Sequence, residues 1–398
     1  MELTTSPRAK TAVFAVVAAL ALAGCGSKEA SGDSVAESDV IKLGSTSGIS
    51  GPAGAYGKSL SDGQQAIFRS VNDAGGINGR KIDFTLLDDA LDVSRAVQNV
   101  RTLVADANVA IVGGSGAGSI DAIVPILNKA KVPLLFPAKS SPAFVNDVVP
   151  YAFAGIPTFP DQAAAVVKAA FKRTGPGSVY LVETVSDQND AILSKVKAAV
   201  SDGGGEFLGT SIVPFGADVA PAGLQLRQKR PDYVIFTSAP AETTKLAQYL
   251  ASNNTLPAKG LLGVTSLPGE TFAQGTDKAA HSLVLSLSAT NPSTDSSAAE
   301  CNTALAKYFP KTKADSVTVF GCSIAQMVVA GLKAAGDDLT ADGIVRALEA
   351  MESADVSAVI PAVSFSPTSH IGLTSLPAVT LQGTEWVTVE TVPVPVLP

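Results

Sequence analysis

KIDFTLLDDALDVSRAVQNVRTLVADANVAIVGGSGAGSIDAIVPILNKAKVPLLF (residues 81–136) alternates strand-like runs with helical periods. Ile82, Phe84 and Leu86 alternate with polar Asp83 and Thr85, the period of a half-buried strand. Val93, Val97, Val100 and Val104 then recur at helical spacing. NVAIVG (108–113) is the next strand, a helix passes through Ile123 and Leu127, and VPLLF (132–136) is a further strand. Short strands separated by helices in this rhythm form a parallel sheet covered on both faces.

Upstream, Val40 to Gly44 supplies a first strand. A helix follows with Leu60, Ile67, Phe68 and Val71 on one face, and Gly75-Gly76 stops it. Downstream, after the Pro-punctuated stretch 150–160, a second series begins. It predicts a helix at 161–173, strand SVYLVE (178–183), a helix at 189–201, strand FLGTSIV (207–213) and a short helix near Leu224. YVIFT (233–237), a helix over 245–252, GLLGV (260–264) and SLVLSLS (282–288) complete it. The Pro/Ser/Thr-rich stretch 289–298 reads as a linker, helices are expected at 299–309, 316–335 and 340–351, and the tail 358–390 reads as β. The fold class is α/β, with two doubly wound Rossmann-like lobes facing each other and the chain crossing between them more than once.

Composition agrees. The chain has 398 residues, 46% hydrophobic and 16% charged, with 35 Gly, 24 Pro and 3 Cys. Disordered chains, disulfide scaffolds and collagens are excluded, and the length suits two domains rather than one core. A net charge of −7 with scattered basic residues argues against a nucleic-acid partner.

Residues 1–24 read as a signal peptide. Arg8 and Lys10 precede an apolar run from Thr11 to Ala23, too short for a spanning helix of about 20 residues. The run ends in Leu22-Ala23-Gly24-Cys25, which resembles the bacterial lipobox, and a polar tether, 25–39, follows. Cys25 is thus expected to carry a lipid that anchors the chain to the outer face of the cytoplasmic membrane. Two cysteines remain, Cys301 and Cys322. Outside the cytosol an even remainder favours a disulfide clamping a helical hairpin over two buried thiols.

Nothing in the motifs supplies catalysis. GGSGAGS (113–119) has Ser119 where a dinucleotide fingerprint needs Gly, and no P-loop is present. GGSGA also misses the final Gly of a nucleophile elbow, and His281 and His370, the sole histidines, read as surface or satisfied residues. No metal-ligand spacing occurs, so neither metal nor cofactor is expected. Asp88-Asp89 reads as a loop holder. The 113–119 loop does offer backbone N–H groups at a helix N-terminus, suited to a carboxylate; the alternative is a small-residue turn needed for packing.

LGSTSGISGPAGAYG (43–57), VNDAGGINGRKIDFTLLDDALDVSRAVQNVRTLV (71–104) and AIVGGSGAGSIDAIVPILNKAKVPLLFPAKSS (110–141), with SVYLV (178–182), together resemble the branched-chain amino-acid-type solute-binding proteins of ABC importers. The N-x-x-G-G-I-N-G-R-x-I stretch ending in Asp-Asp is the most specific part. The resemblance implies the type I periplasmic-binding-protein fold with a three-crossover hinge at about 155–160, 289–295 and 350–358. The lobes would be 40–157 plus 290–352 and 158–289 plus 353–398. It also implies a monomer that closes on a small solute and presents it to permease subunits. Runner-up roles on the same scaffold are a ligand-sensing module for a membrane receptor and an exported hydrolase.

Carried over residue by residue, the resemblance implies a first-lobe site of Tyr56, Ser115, Ala117, Gly118, Ala138 and Ser140. Gln188 and Ala239 stand where aromatics often cover the ligand, and Thr265 where an acid often pairs with the ammonium. Without that acid an ammonium would be desolvated unpaired, which favours a carboxylate or neutral polar solute over an amino acid unless Glu270 or Asp187 reaches in. On this reading Ser140→Ala weakens solute binding by at least about tenfold while the protein stays folded, as calorimetric titration would show.

Overall fold

The computed structural model describes residues 40–51, 54–114, 117–141, 148–186 and 188–395, with Ala117 and Gly118 described in backbone alone. The signal peptide, Cys25, the tether, Ser115 and Asp187 lie outside the described residues.

The first series runs β1 (Val40–Ser47), α1 (Gly54–Asp73), β2 (Lys81–Asp88), α2 (Val93–Ala105), β3 (Ala110–Val112), α3 (Ala117–Ala130), β4 (Leu134–Leu135) and β5 (Ala152–Phe153). Its strands pair parallel in the order β2-β1-β3-β4-β5. The second series comprises α4 (Phe159–Thr174), β6 (Ser178–Glu183), α5 (Asn189–Asp202), β7 (Glu206–Ile212), α6 (Ala220–Lys229), β8 (Tyr233–Thr237), α7 (Pro240–Ser252) and β9 (Gly260–Gly263). The short helices α8 (Glu270–Gly275) and α9 (Lys278–His281) lead into β10 (Val284–Leu287). Helices α10 (Ala299–Tyr308), α11 (Ser316–Ala335) and α12 (Ala341–Glu349) follow, then the hairpin β11 (Ser375–Gln382) and β12 (Glu385–Pro393). The second sheet is ordered β12-β11-β10-β9-β8-β6-β7. It is parallel from β10 to β7 and antiparallel at its β11 and β12 end. The α/β expectation of two parallel sheets with helices around them is met.

Burial explains the runs. Every residue of β8, β9 and β10 is buried, as central parallel strands require. Helix starts are set by side-chain caps: Asp92 accepts from Arg95 N, Thr158 from Asp161 N and Thr340 from Gly343 N. Asp315 and Thr318 form a reciprocal box at the start of α11. Helix α11 is the one described helix long and apolar enough to cross a membrane, but 72% of its apolar window is buried. It is a core helix lying against α1.

That helix pair meets backbone to backbone. A Cβ on Gly63 would stand 2.1 Å from the Thr318 carbonyl oxygen, and one on Gly321 2.0 Å from that of Leu60. Cys301 on α10 is joined to Cys322 on α11, with Cα atoms 5.9 Å apart. The bridge closes a loop whose cross-linking is worth about 3 kcal/mol in a chain-entropy estimate.

The chain changes sheets at three places. Beside β5, Ala154 bridges Ile371, and Leu373 N donates to Gly155 O. Phe365 packs on Phe136 and Phe153, and the His370 ring stacks on Phe153 with centroids 3.9 Å apart. Residues 354–373 therefore stay with the first sheet, and the last crossing falls at Thr374, later than the expected 350–358. The lobe boundary expected at 353, with 353–398 in the second lobe, moves accordingly. The apolar and aromatic side chains of this segment fill the first core, and the strand-like tail contracts to β11 and β12.

Gly321→Ala forces the two helices apart. It is expected to destabilise the protein by about 2–3 kcal/mol, read as a lower urea midpoint with an unchanged slope.

Candidate ligand-binding site

In the first sheet the order reverses between β1 and β3, and in the second between β6 and β8. At such a point successive helices leave on opposite faces, and a crevice opens beyond the carboxyl ends of the strands. The loops after β1, β3, β6 and β8 are thus the ones placed to meet a ligand.

On the first lobe these loops are tied down by polar groups. Asp88 accepts from Ile49 N at 3.0 Å, Ala90 N at 3.0 Å and Ser50 Oγ at 2.5 Å. These hydrogen bonds, led by that of Ser50, hold its carboxyl below the usual range. Asp89 is fully buried and accepts from Thr46 Oγ1 at 2.8 Å; burial pushes its carboxyl up. Both aspartates are loop holders. Gly113 and Gly114 serve close approach: their Cβ atoms would stand 2.1 Å from Pro137 Cα and 2.0 Å from Thr46 O. Beneath them lies a cavity of about 10 Å³ lined by Thr46, Gly113, Gly114, Ser119, Ile120 and Pro137, about the room of one water. The start of α3, at Ala117 and Gly118, lies at the same point and points unpaired N–H groups out of the helix.

Ser140 is 1% exposed. Its hydroxyl donates to the Ile156 carbonyl, so the side chain expected to touch solute instead ties the loop after β4 to the first crossing. Its own carbonyl accepts from Gln188 Nε2 at 3.1 Å. Ala138, nearly buried, lies in the same loop and donates its N–H to Gly114 O at 3.3 Å. Tyr56 is 37% exposed in the first turn of α1. Enclosure of its phenol and the nearby Asp315 carboxylate push that group up to about 12.

From the second lobe, Gln188 is 2% exposed, and its Oε1 has no protein partner. Ala239 N donates to Thr184 Oγ1 at 2.9 Å at the start of α7. Thr265 donates from both N and Oγ1 to Gln162 Oε1, at 3.0 and 2.9 Å. Gln162 Nε2 in turn donates to Pro157 O at 2.7 Å. Glu270 does not serve as a free acid, since its Oε1 stands 2.6 Å from Lys313 Nζ. Glu183, buried at the end of β6, accepts from Asn189 and Thr210; burial pushes its carboxyl up.

Gln162 was not foreseen. Thr237 ends β8, paired with Glu183, and its buried hydroxyl is unpartnered. Gln162 could have been found: a fully buried amide in the Ala-rich run DQAAAVV is costly unless used. Among the described residues neither histidine hydrogen-bonds a hydroxyl or thiol. His370 is 1% exposed with Nδ1 facing the Val149 and Ala152 carbonyls and Nε2 facing Glu349; His281, expected at the surface or satisfied, is instead buried with neither ring nitrogen partnered. Among the described residues no group of three or more His, Cys, Asp or Glu could hold a metal.

Residues 40–385 match the family described as periplasmic binding protein. The chain belongs to that family. This periplasmic binding protein is 25% identical over 335 residues to a Leu/Ile/Val-binding protein of Rhizobium johnstonii, covering 83% of this chain and 89% of that one. Its fold is similar to that of a substrate-binding periplasmic protein from Ralstonia solanacearum, with a TM-score of 0.78, 19% identity and coverage of 87% and 99%. It is also similar to an ABC transporter solute-binding protein from R. palustris solved with benzoate, with a TM-score of 0.74, 18% identity and coverage of 89% and 97%. The resemblance carried by 43–57 and 71–141 therefore extends along nearly all the described chain. The matched proteins bind ligands for transporters and are not enzymes. This one is a ligand-binding, extracytoplasmic type of protein.

With its hydroxyl bonded inside the loop, Ser140→Ala is expected to lower the stability of the periplasmic binding protein by about 1–3 kcal/mol, because the Ile156 carbonyl loses its partner. A thermal melt of the solute-free variant checks this.

Proposed function

We propose that the protein is an extracytoplasmic receptor, held to the outer face of the membrane by a lipid on Cys25, that closes on a small solute and delivers it to the permease of an ABC importer. The supporting observation is the Gln188–Ser140 hydrogen bond, which joins the loop after β6 to the loop after β4. The crossings near 154–158, 288–292 and 373–375 act as the hinge: Ser288 N bonds Pro377 O, and Asn291 N bonds Val359 O.

The solute is a carboxylate or a neutral polar molecule rather than an α-amino acid. Relatives include a Leu/Ile/Val-binding protein and a protein solved with benzoate, so both classes are open to the fold. Here Thr265, standing where an acid would pair with an ammonium, bonds to Gln162, and Glu270 is paired with Lys313, so neither position offers an ammonium a free carboxylate. The unpartnered Oε1 of Gln188 and hydroxyl of Thr237 suit a neutral N–H or O–H, whose burial needs only a hydrogen bond. The N–H groups at the start of α3 suit the carboxylate.

A thermal-shift screen against leucine, benzoate, short-chain carboxylates, amides and sugars tests this. A ligand at 100 times its Kd adds about 2.7 kcal/mol. A shift with carboxylates or amides and none with leucine is expected; a leucine shift would show that an acid reaches the ammonium and overturn the solute class.

A further inference from the structure

The three crossings differ in how abruptly the chain passes from one lobe to the other. At the first, the backbone carbonyls can be followed one by one. Phe153 O accepts from Phe136 N at 2.7 Å, Ala154 O from Gly372 N at 2.9 Å and Gly155 O from Leu373 N at 3.1 Å, all within the first lobe. Ile156 O is next and accepts from Ser140 Oγ. The loop that supplies this hydroxyl is fastened to the first lobe, since the neighbouring Ser141 Oγ donates to Asp121 on α3. Pro157 O is the first carbonyl held from the second lobe: Gln162 Nε2, on α4, donates to it at 2.7 Å. Thr158 O then accepts from Gln162 N at 3.0 Å as α4 begins. Ser140, Ile156, Pro157 and Gln162 are all buried, so these bonds are made away from water, where they are stronger.

The peptide groups on either side of Pro157 are therefore held by different lobes. Each peptide group is rigid, so the torsions between them are φ and ψ of Pro157. The pyrrolidine ring fixes φ at about −65°, which leaves ψ alone. The other crossings are looser. Between Ser288 N, bonded to Pro377 O of the second lobe, and Asn291 N, bonded to Val359 O of the first, lie the torsions of Ser288, Ala289 and Thr290. Between Leu373 N, bonded to Gly155 O, and Thr374 O, which accepts from Val394 N, lie those of Leu373 and Thr374. Where several connections join the same two bodies, the one with the fewest free torsions dictates the motion.

We infer that Pro157 is the swivel of the lobe hinge and that Ser140 and Gln162 are its two bearings, so that the lobes turn about the Pro157 Cα–C bond. This rests on the two-lobe closure proposed above, and it places the change of backbone angle that a hinge must absorb at one bond. Gln162 Oε1 also accepts from Thr265 N and Oγ1. The loop after β9 thus travels with the second-lobe bearing, and the side chain that grips the crossing also positions a cleft loop.

The distribution of distances between the lobes tests the swivel. Spin labels carried on keto amino acids at 129 on α3 and 229 on α6 leave the cysteines untouched, and electron–electron dipolar spectroscopy of the solute-free chain reads the width of the distribution. The width is compared between proteins, so an open and a closed starting arrangement serve equally. Pro157→Gly frees φ and should widen the distribution roughly twofold, with far-ultraviolet dichroism as the check on folding. Pro157→Ala should widen it less, and it decides the matter if the glycine variant does not fold. Thr374→Gly, at an exposed position of the last crossing, should leave the width unchanged. A wild-type width in the folded Pro157 variant, or equal widening by Thr374→Gly, overturns the proposal. The binding reading fails separately: a protein whose melting shifts with solute but whose width ignores Pro157 loses the swivel alone, and one that widens but shifts with no solute loses only the solute class.

Discussion

Parallel strands cannot be joined by a tight turn, so every pair in the two sheets requires a crossover that returns the chain to the same end. All the strand-to-helix loops of a sheet therefore collect at its carboxyl edge, and wherever the strand order reverses they diverge. The chain does this twice, at β1/β3 and at β6/β8. The cleft is a by-product of this connectivity before any particular side chain is considered. Ligand chemistry is then added by what the diverging loops carry.

What they carry is mostly neutral. Ser140, Gln162, Gln188 and Thr265 join loop to loop through hydroxyls and amides, while half-buried Asp88 and buried Asp89 and Glu183 are occupied by N–H and hydroxyl groups. A buried neutral pair needs only its hydrogen bonds, whereas a buried ion needs a counter-charge as well. Such a lining holds its shape through hydrogen bonds between its own side chains and backbone.

The strand and helix series was legible because it rests on local periodicity: Ile82, Phe84 and Leu86 on one face of β2, and Val97, Val100 and Val104 on one side of α2. The three helices after 298 were legible for the same reason. Two-residue strands such as β5 carry no period, so β5 was missed. The last crossing was misplaced because nothing local in 354–373 tells which core Phe365 and His370 fill; that depends on Phe136 and Phe153, far away in the chain. At the cleft, the loops were identifiable from where strands end. The employment of each side chain was not. Ser140 has the same hydroxyl whether it faces a solute or the Ile156 carbonyl, and only tertiary placement decides.

The chain has a single tryptophan, and it braces the loop before α8. Trp386 lies on β12, its indole N–H bound to the Gly269 carbonyl and its ring 6.1 Å from that of Phe272. The excited state of indole responds to the polarity and hydrogen bonding around its N–H. Since the neighbouring Pro268 carbonyl accepts from Ser316 at the start of α11, the protein carries a built-in optical probe whose emission comes from one site. Its colour and intensity report, without any label, on the environment of the loop that meets the start of α11.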